Sequence, residues 1–397
     1  MKILFFAQAA LRKELGGPKV VLELAEAIEE LGHHTEVLGP HEVENLLKKK
    51  GLSFNSYYAD NINTLLKEIG DDYDVVDVDG NHLYKTEVAN LKNTLFVARS
   101  VLFIPHLSHI KWPVKKTVKN HLGALLKYLK GQGNSQKRKI SRYYESLNRA
   151  DIISVSNHED VRQLLEDGYG SEKIFEAPYA LNSEKKRDLR KINSISKNGN
   201  EIVFLGTFDF RKGCLDLVKA FIEVKKQVPD ANLTLLGCKG LFKEKEEILR
   251  FFPKSIRSSV KIIPTFKAHD LPKLLKKIKL AMFTSYFEGF PFSIIECITA
   301  GIPVIAFNSP GASSSLPETY LVEPGDWRSM AHKVVYLLEN SKELAGSQRE
   351  IIEHAEKYDW HIIAQETLEV YREQLTLKIE AHKEEARLGR AKTLFEL

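Results

Sequence analysis

Short apolar runs rich in Val, Ile, Leu and Phe recur along the chain, and stretches with helix-like spacing of apolar residues separate them. In the first half the runs occupy Lys2–Ala7, Thr35–Leu38, Asp74–Val78, Leu95–Ala98, Ile152–Val155 and Ile174–Ala177. The rhythm pauses over a polar, basic stretch, Ser183–Asn200. It restarts with Ile202–Gly206, Leu233–Leu236, Val260–Pro264, Leu280–Thr284, Val304–Phe307 and Tyr320–Val322. Continuous runs, rather than strict alternation, predict strands covered on both faces by helices. Val20, Leu24, Ile28 and Leu31 mark the buried stripe of one intervening helix, and Leu217, Val218, Phe221 and Ile222 that of another. The expected fold class is therefore α/β, with two Rossmann-like parallel-sheet domains in tandem facing each other across a cleft. Residues 1–190 would form the first domain and 198–358 the second, with Ser183–Asn200 as linker. A final helix from about Trp360 would pack back across the boundary, and the charged tail Lys378–Leu397 would be a frayed or partner-facing helix. A length of 397 residues agrees with two cores rather than one.

Composition narrows the class only a little. A hydrophobic fraction of 43% and a charged fraction of 28% are ordinary for a globular protein. Three cysteines, Cys214, Cys238 and Cys297, form no disulfide framework and no closely spaced metal pair, which leads us to expect a reducing, cytoplasmic setting. The apolar run Met1–Ala7 is shorter than a secretory signal, and no stretch reaches the roughly 18 apolar residues of a spanning helix.

The charge changes the picture more. It is only +5 overall, yet Ser100–Ala150 holds eleven Lys or Arg against one acid, Glu145. Lys111, Lys115, Lys116, Lys119, Lys127, Lys130, Lys137, Arg138, Lys139 and Arg142 lie there, with Leu122, Leu125, Leu126 and Leu129 between them. Three readings stand open. The stretch Lys111–Arg142 can rest on an anionic membrane surface, which would make the protein peripheral on its inner face. It can be a solvated face whose leucines pack inward, or it can bind nucleic acid. The last is disfavoured, because regular aromatic interleaving and recognised nucleic-acid motifs are missing.

Chemistry is expected at the strand-to-helix turns, since parallel sheets bind ligands beyond the carboxyl ends of their strands. After the first run comes Gly16-Gly17, where backbone amides could approach a diphosphate; it is not the three-glycine dinucleotide fingerprint, so a nicotinamide cofactor is disfavoured. The second half opens with Gly206-Thr207-Phe208-Asp209-Phe210-Arg211-Lys212-Gly213, placing two cations at a helix mouth where they could neutralise a phosphate pair. The richest turn is Glu288-Gly289-Phe290-Pro291 followed by Glu296, at a helix start whose amides suit an anion. Taken as one helix, the two glutamates would stand roughly 12 Å apart. That is too far for a hydrolase carboxyl pair, and it suits two parts of one elongated ligand. Further on, Ser309-Pro310-Gly311-Ala312 with Glu318, and Pro324-Gly325-Asp326, are turn signals. Asp77-Val78-Asp79 looks like a metal-binding Asp-x-Asp, but it ends a strand before Gly80 and is expected to be structural or to face a substrate.

Taken in order, these features resemble the retaining glycosyltransferases of family 4, which have the GT-B fold. The resemblance covers nearly the whole chain, from Gly16-Gly17 through Gly206 and Lys212-Gly213 to Glu288, Glu296 and Pro324-Gly325-Asp326. It implies that the donor is a nucleotide-diphosphate sugar such as a UDP- or GDP-sugar. Lys212 would contact its diphosphate, Glu288 with the amides of Gly289 and Phe290 would engage the transferred sugar and phosphates, and Glu296 would bind the ribose. Thr265 and Phe266 would lie beside the base. The chain departs from the family at two positions. Thr207 stands where an arginine often follows the glycine, with Arg211 as the nearby charge. Val101 stands where a histidine is usual, with His106 as the nearest substitute and His109 behind it.

The expected activity is transfer of a hexose to an acceptor hydroxyl with retained configuration, needing no metal or other cofactor. The acceptor would be a carbohydrate or lipid-linked molecule of cell-surface polysaccharide or glycolipid synthesis. Charge developing on the diphosphate would be met by Lys212, Arg211 and the helix start at Gly289. Two alternatives are kept: a catalytically degenerate donor-binding partner subunit, and a sugar-nucleotide epimerase.

Overall fold

The computed structural model describes residues 1–13, 16–87, 91–114, 135–193, 199–242 and 244–395, the side chains of 135 and 389–395 excepted. Within them every expected apolar run is a strand, with ends differing by a residue or two. The first half gives β1 (Lys2–Phe6), β2 (His34–Leu38), β3 (Val75–Asp79), β4 (Leu95–Ser100), β5 (Ile152–Val155) and β6 (Ile174–Glu176). The second gives β7 (Glu201–Leu205), β8 (Asn232–Leu236), β9 (Val260–Ile263), β10 (Leu280–Phe283), β11 (Val304–Phe307) and β12 (Leu321–Val322).

The strands form two sheets, ordered β2-β1-β3-β4-β5-β6 and β12-β11-β10-β7-β8-β9, and all pairings are parallel. Each sheet changes winding direction once, between β1 and β3 in the first and between β7 and β10 in the second. At such a point two neighbouring strands send their following turns to opposite faces, and a crevice opens beyond their carboxyl ends. The turns after β7 and β10 are the ones that carry Lys212 and Glu288. Burial follows the sequence logic: every residue of β3, β4, β5, β10 and β11 is buried, as strands sandwiched between helices must be. One apolar core runs from Ile3, Phe5 and Leu24 through Tyr179 and Trp360 to Phe204 and Ile294, so the two sheets share buried packing.

The stretch expected to be a linker is not merely a connector. It contains a helix, Ser183–Arg190, because Asn182 caps it and Leu189 is buried beneath it. The Lys185 amide donates to the Asn182 side chain at 2.9 Å, and Lys186 Nζ lies 2.9 Å from the Asp359 carboxylate. Residues 194–198 of that stretch lie outside the described residues. So do Lys115, Lys116, Lys119, Lys127 and Lys130 of the basic segment, with Leu122, Leu125, Leu126 and Leu129. The described cations Lys111, Lys137, Arg138, Lys139 and Arg142 are exposed. Among the described residues no helix is long and apolar enough to cross a membrane.

The helix Trp360–Phe395 returns to the first sheet and includes most of the charged tail, expected to be a frayed or partner-facing helix. Trp360 Nε1 donates to Glu23 at 3.0 Å, and Lys378 Nζ reaches the Asp151 carboxylate at 2.7 Å. Between them Tyr371 enters the strongest buried polar cluster of the first sheet. Arg99 of β4 donates to Asp77 of β3 through Nε at 3.0 Å and Nη2 at 2.7 Å. The Tyr371 hydroxyl donates to the same carboxylate at 2.6 Å and accepts from Arg99 Nη2 at 2.8 Å. A buried ion pair is costly to desolvate and is tolerated when its remaining hydrogen-bond positions are filled, and Tyr371 fills one on each partner. Asp77 is thus occupied structurally. Asp79 is buried beside it, and burial pushes its carboxyl up against the pull of His82 and Asn81.

Replacing Tyr371 by Phe keeps the ring and removes both hydrogen bonds, leaving buried charge under-satisfied. We expect a loss of about 1–3 kcal/mol by chemical denaturation. An unchanged unfolding midpoint would show that the hydroxyl contributes nothing.

Candidate functional site

Two turns are joined before any ligand is considered. The turn after β7 must enter the helix Cys214–Gln227 through Gly213, whose φ of +68° is a left-handed conformation. A Cβ at Gly213 would lie 2.0 Å from the Thr284 carbonyl oxygen, so glycine also permits the turn after β10 to come close. Hydrogen bonds then fix the approach: Tyr286 N donates to Arg211 O at 3.0 Å, and Thr284 Oγ1 donates to Lys212 O at 2.8 Å. Asp209 braces the same turn, accepting from Lys212 N at 2.9 Å and from Thr207 Oγ1 at 2.6 Å.

The consequence is a charge cluster. Lys212 Nζ lies 2.5 Å and Arg211 Nη1 3.0 Å from Glu288 Oε1, with all three side chains largely enclosed. Burial pushes the Glu288 carboxyl up, but Lys212 and Arg211 together pull it down by more, so it stays below the ordinary carboxylate range and is ionised near neutral pH. The cluster borders a hollow of about 320 Å³. Leu205, Gly206, Leu236 and Gly237 form its floor at the ends of β7 and β8, and Phe266 stands at one side. The other wall is Phe290, Pro291, Phe292, Ser293 and Glu296. The helix there begins at Phe292 rather than at Gly289, so the expected continuous helix from Glu288 to Glu296 is corrected; Pro291 occupies the cap and lacks an N–H. The amides of Phe290 and Ser293 have no hydrogen-bond partner among the described residues, which leaves two donors for an anion beside two cations.

The other expected site residues fall in different places. Glu296 lines the hollow, but its carboxylate is ion-paired with Lys185 of the helix Ser183–Arg190. Its Oε2 remains to accept from a ligand hydroxyl, since a carboxylate can accept about four hydrogen bonds. Thr207 is turned to Asp209, and Thr265 is exposed. Gly16 begins the helix Gly16–Glu30, and Gly17 borders a separate space of about 10 Å³ with Gln8, Asp79 and Val101. The glycine pair is therefore not brought onto the hollow. His106 is enclosed: its Nε2 lies 2.8 Å from Asp160 Oδ1 and its Nδ1 3.2 Å from His109 Nε2. Its ring packs on Phe287, one residue before Glu288, so it supports the turn from behind. Burial pushes the Asp160 carboxyl up to about 6, against the pull of His106 and Asn157.

The turn of Glu288 also meets the first sheet. A Cβ at Gly289 would sit 1.9 Å from the carbonyl oxygen of Val101, just after β4. The Gly289 carbonyl accepts from Asn157 Nδ2 at 2.9 Å and Ser156 Oγ at 3.1 Å, both following β5. Asn157 in turn donates to Asp160, so His106, Asp160, Asn157 and Gly289 form one chain across the seam.

Residues 185–358 match the family model described as glycosyl transferases group 1, a span holding Lys212, Glu288 and Glu296. That span is similar to the group 1 glycosyl transferases. Among similar proteins, the poly(glycerol-phosphate) alpha-glucosyltransferase of Bacillus subtilis is 23% identical over 265 residues, which are 64% of this chain and 37% of that one. The D-inositol 3-phosphate glycosyltransferase of Paenarthrobacter aurescens is 26% identical over 196 residues, 47% of each chain. The chain thus spans about half, or less, of the length of these relatives. The solved structure of Anabaena Alr3699/HepE in complex with UDP has a TM-score of 0.68 at 17% identity, covering 94% of this chain and 100% of that one. That likeness bears on the fold, which is the expected GT-B arrangement of two Rossmann-like units.

The sequence alone does not single out Asp209, Asn157 or Lys185. Asn157-x-x-Asp160 is legible as a helix cap, but nothing local tells that the same amide reaches Gly289. The Gly289 contact supplies a direct test. Gly289→Ala forces the seam apart, and we expect an increased radius of gyration in solution scattering with secondary structure unchanged. An unaltered scattering curve would mean that the contact does not hold the two units together.

Proposed function

We propose that the protein transfers a sugar from a nucleotide-diphosphate sugar to an acceptor hydroxyl with retention at the anomeric carbon, in the assembly of cell-surface polysaccharide or glycolipid. The observation that carries the reading is the convergence of Lys212 and Glu288 with free amides on one hollow at the winding reversal of the second sheet, with Arg211 paired to the same carboxylate. In this reading the bond from the anomeric carbon to the diphosphate oxygen breaks, and the acceptor oxygen bonds to the same face. The acceptor proton leaves with the diphosphate. Lys212 and Arg211 supply positive charge where the leaving diphosphate becomes more negative, the role a metal plays elsewhere, and the amides of Phe290 and Ser293 add fixed dipoles. Glu288 holds both cations in place and accepts hydrogen bonds from the transferred sugar. Glu296 takes the ribose, with Phe266 beside the base.

With this goes a division of labour. Residues 1–190 serve the acceptor, 198–358 hold the donor, and the helix from about 360 fastens the two. His106, with both ring nitrogens engaged, positions the Glu288 turn rather than touching the sugar. The basic segment Lys111–Arg142 would place the protein on anionic lipid at the inner face of the membrane; co-sedimentation with anionic but not neutral vesicles is expected, and equal recovery with both would refute it.

Lys212→Ala and Glu288→Gln should each lower kcat/KM for sugar transfer about 10²–10³-fold, with secondary structure retained by circular dichroism. Full activity in both variants would overturn the assignment. Turnover of the donor with no acceptor added, giving an isomeric nucleotide sugar, would favour an epimerase instead. Nucleotide-diphosphate binding without any turnover would favour a donor-binding subunit.

A further inference from the structure

A second hollow, of about 420 Å³, opens beyond the carboxyl ends of β1 and β3, the winding reversal of the first sheet. Gln8, Asn81 and His82 border it, each following one of those two strands. Tyr57, Tyr58 and Tyr84 supply aromatic wall, and Lys139 with Arg142 from the helix Ser135–Arg149 close one side. The charges around it are unequal. The Asp60 carboxylate is taken by Lys85 at 2.5 Å, and Asp79 below is engaged by Asn81 and faces His82. Lys139 and Arg142 have no ion pair among the described residues; the Arg142 guanidinium lies 5.1 Å from the Tyr84 ring centre. Two unpartnered cations, one of them a planar fork held on an aromatic ring, ask for an anion with several oxygens. Amide side chains offering donors and acceptors beside aromatic surface suit a ring that is hydroxylated at its edge and apolar on its face.

A run of touching residues leads from the hollow toward the donor side. Gln8 lines it and the small space reaching Val101, whose carbonyl touches Gly289 beside Glu288. We propose that this hollow is the acceptor site and that Lys139 and Arg142 select a saccharide bearing a phosphate or diphosphate. The inference rests on the transferase reading and narrows its substrate class. The phosphate can come from a soluble phosphosugar or a lipid-linked one. Ile104 and Lys139 are shared with a neighbouring hollow lined by Leu107, Ile110 and Trp112, where a lipid chain would lie.

Binding separates these readings without requiring turnover. Calorimetry with glucose 1-phosphate, methyl glucoside and farnesyl-diphospho-glucose should show the two phosphorylated probes binding about tenfold or more tightly than the neutral one. The double substitution Lys139→Ala with Arg142→Ala should remove that advantage while leaving UDP binding unchanged. Tyr84→Ala should weaken all three probes. Lys212→Ala should do the reverse of the double variant, losing UDP and keeping glucose 1-phosphate. A farnesyl probe tighter than glucose 1-phosphate supports a lipid-linked acceptor, and equal affinities support a soluble one. The proposal is overturned by equal binding of phosphorylated and neutral sugars, by a double variant that still distinguishes them, or by loss of glucose 1-phosphate binding in Lys212→Ala. Failure of UDP to bind the parent protein would instead count against the donor reading, since the two sites are probed separately.

Discussion

The missing side chain of Gly289 is the constraint on which the site depends. Its turn carries Glu288 on one side and touches the Val101 carbonyl on the other, at a separation no larger residue could adopt. The same peptide receives two hydrogen bonds from Ser156 and Asn157. The geometry around Glu288 is therefore set from both sheets at once, by contact on one face of a turn and by charge on the other.

Charge decides the second point. Enclosure alone would drive Glu288 toward its neutral form; two cations within ion-pair distance reverse that outcome. A neutral carboxyl would leave Lys212 and Arg211 repelling one another in a confined space. The ionised one lets them sit side by side beside the hollow. A diphosphate would then meet cations already gathered, so less ordering is left for the moment of binding.

Much of this was legible in the sequence. Twelve apolar runs marked twelve strands because buried parallel strands have no polar face to disguise them, and Val75–Asp79 or Val304–Phe307 can hardly be read otherwise. The turns bearing Arg211-Lys212 and Glu288-Gly289 stood out because glycine and charge rarely gather after a strand without cause. What escaped was pairing across the fold. The helix Ser183–Arg190 looked like linker because eight residues leave only a faint pattern, and Asp359, the partner of Lys186, is remote in sequence. His106 was assigned by nearness to a strand end, yet direction rather than distance governs its fate: its ring faces Asp160 and Phe287. Gly16-Gly17 was legible as a helix entrance, but its separation from Lys212 depends on how the sheets are set together.

Tyr371 reaches Asp77 over a sequence separation of 294 residues. The buried arginine of the first sheet thus receives its last partner from a segment synthesised after the whole second sheet. Folding from the leading end cannot finish in order: the earlier half must wait, with a polar cluster open to water, for a strap made only after the second sheet. The two halves consequently mature together, although each has a sheet of its own.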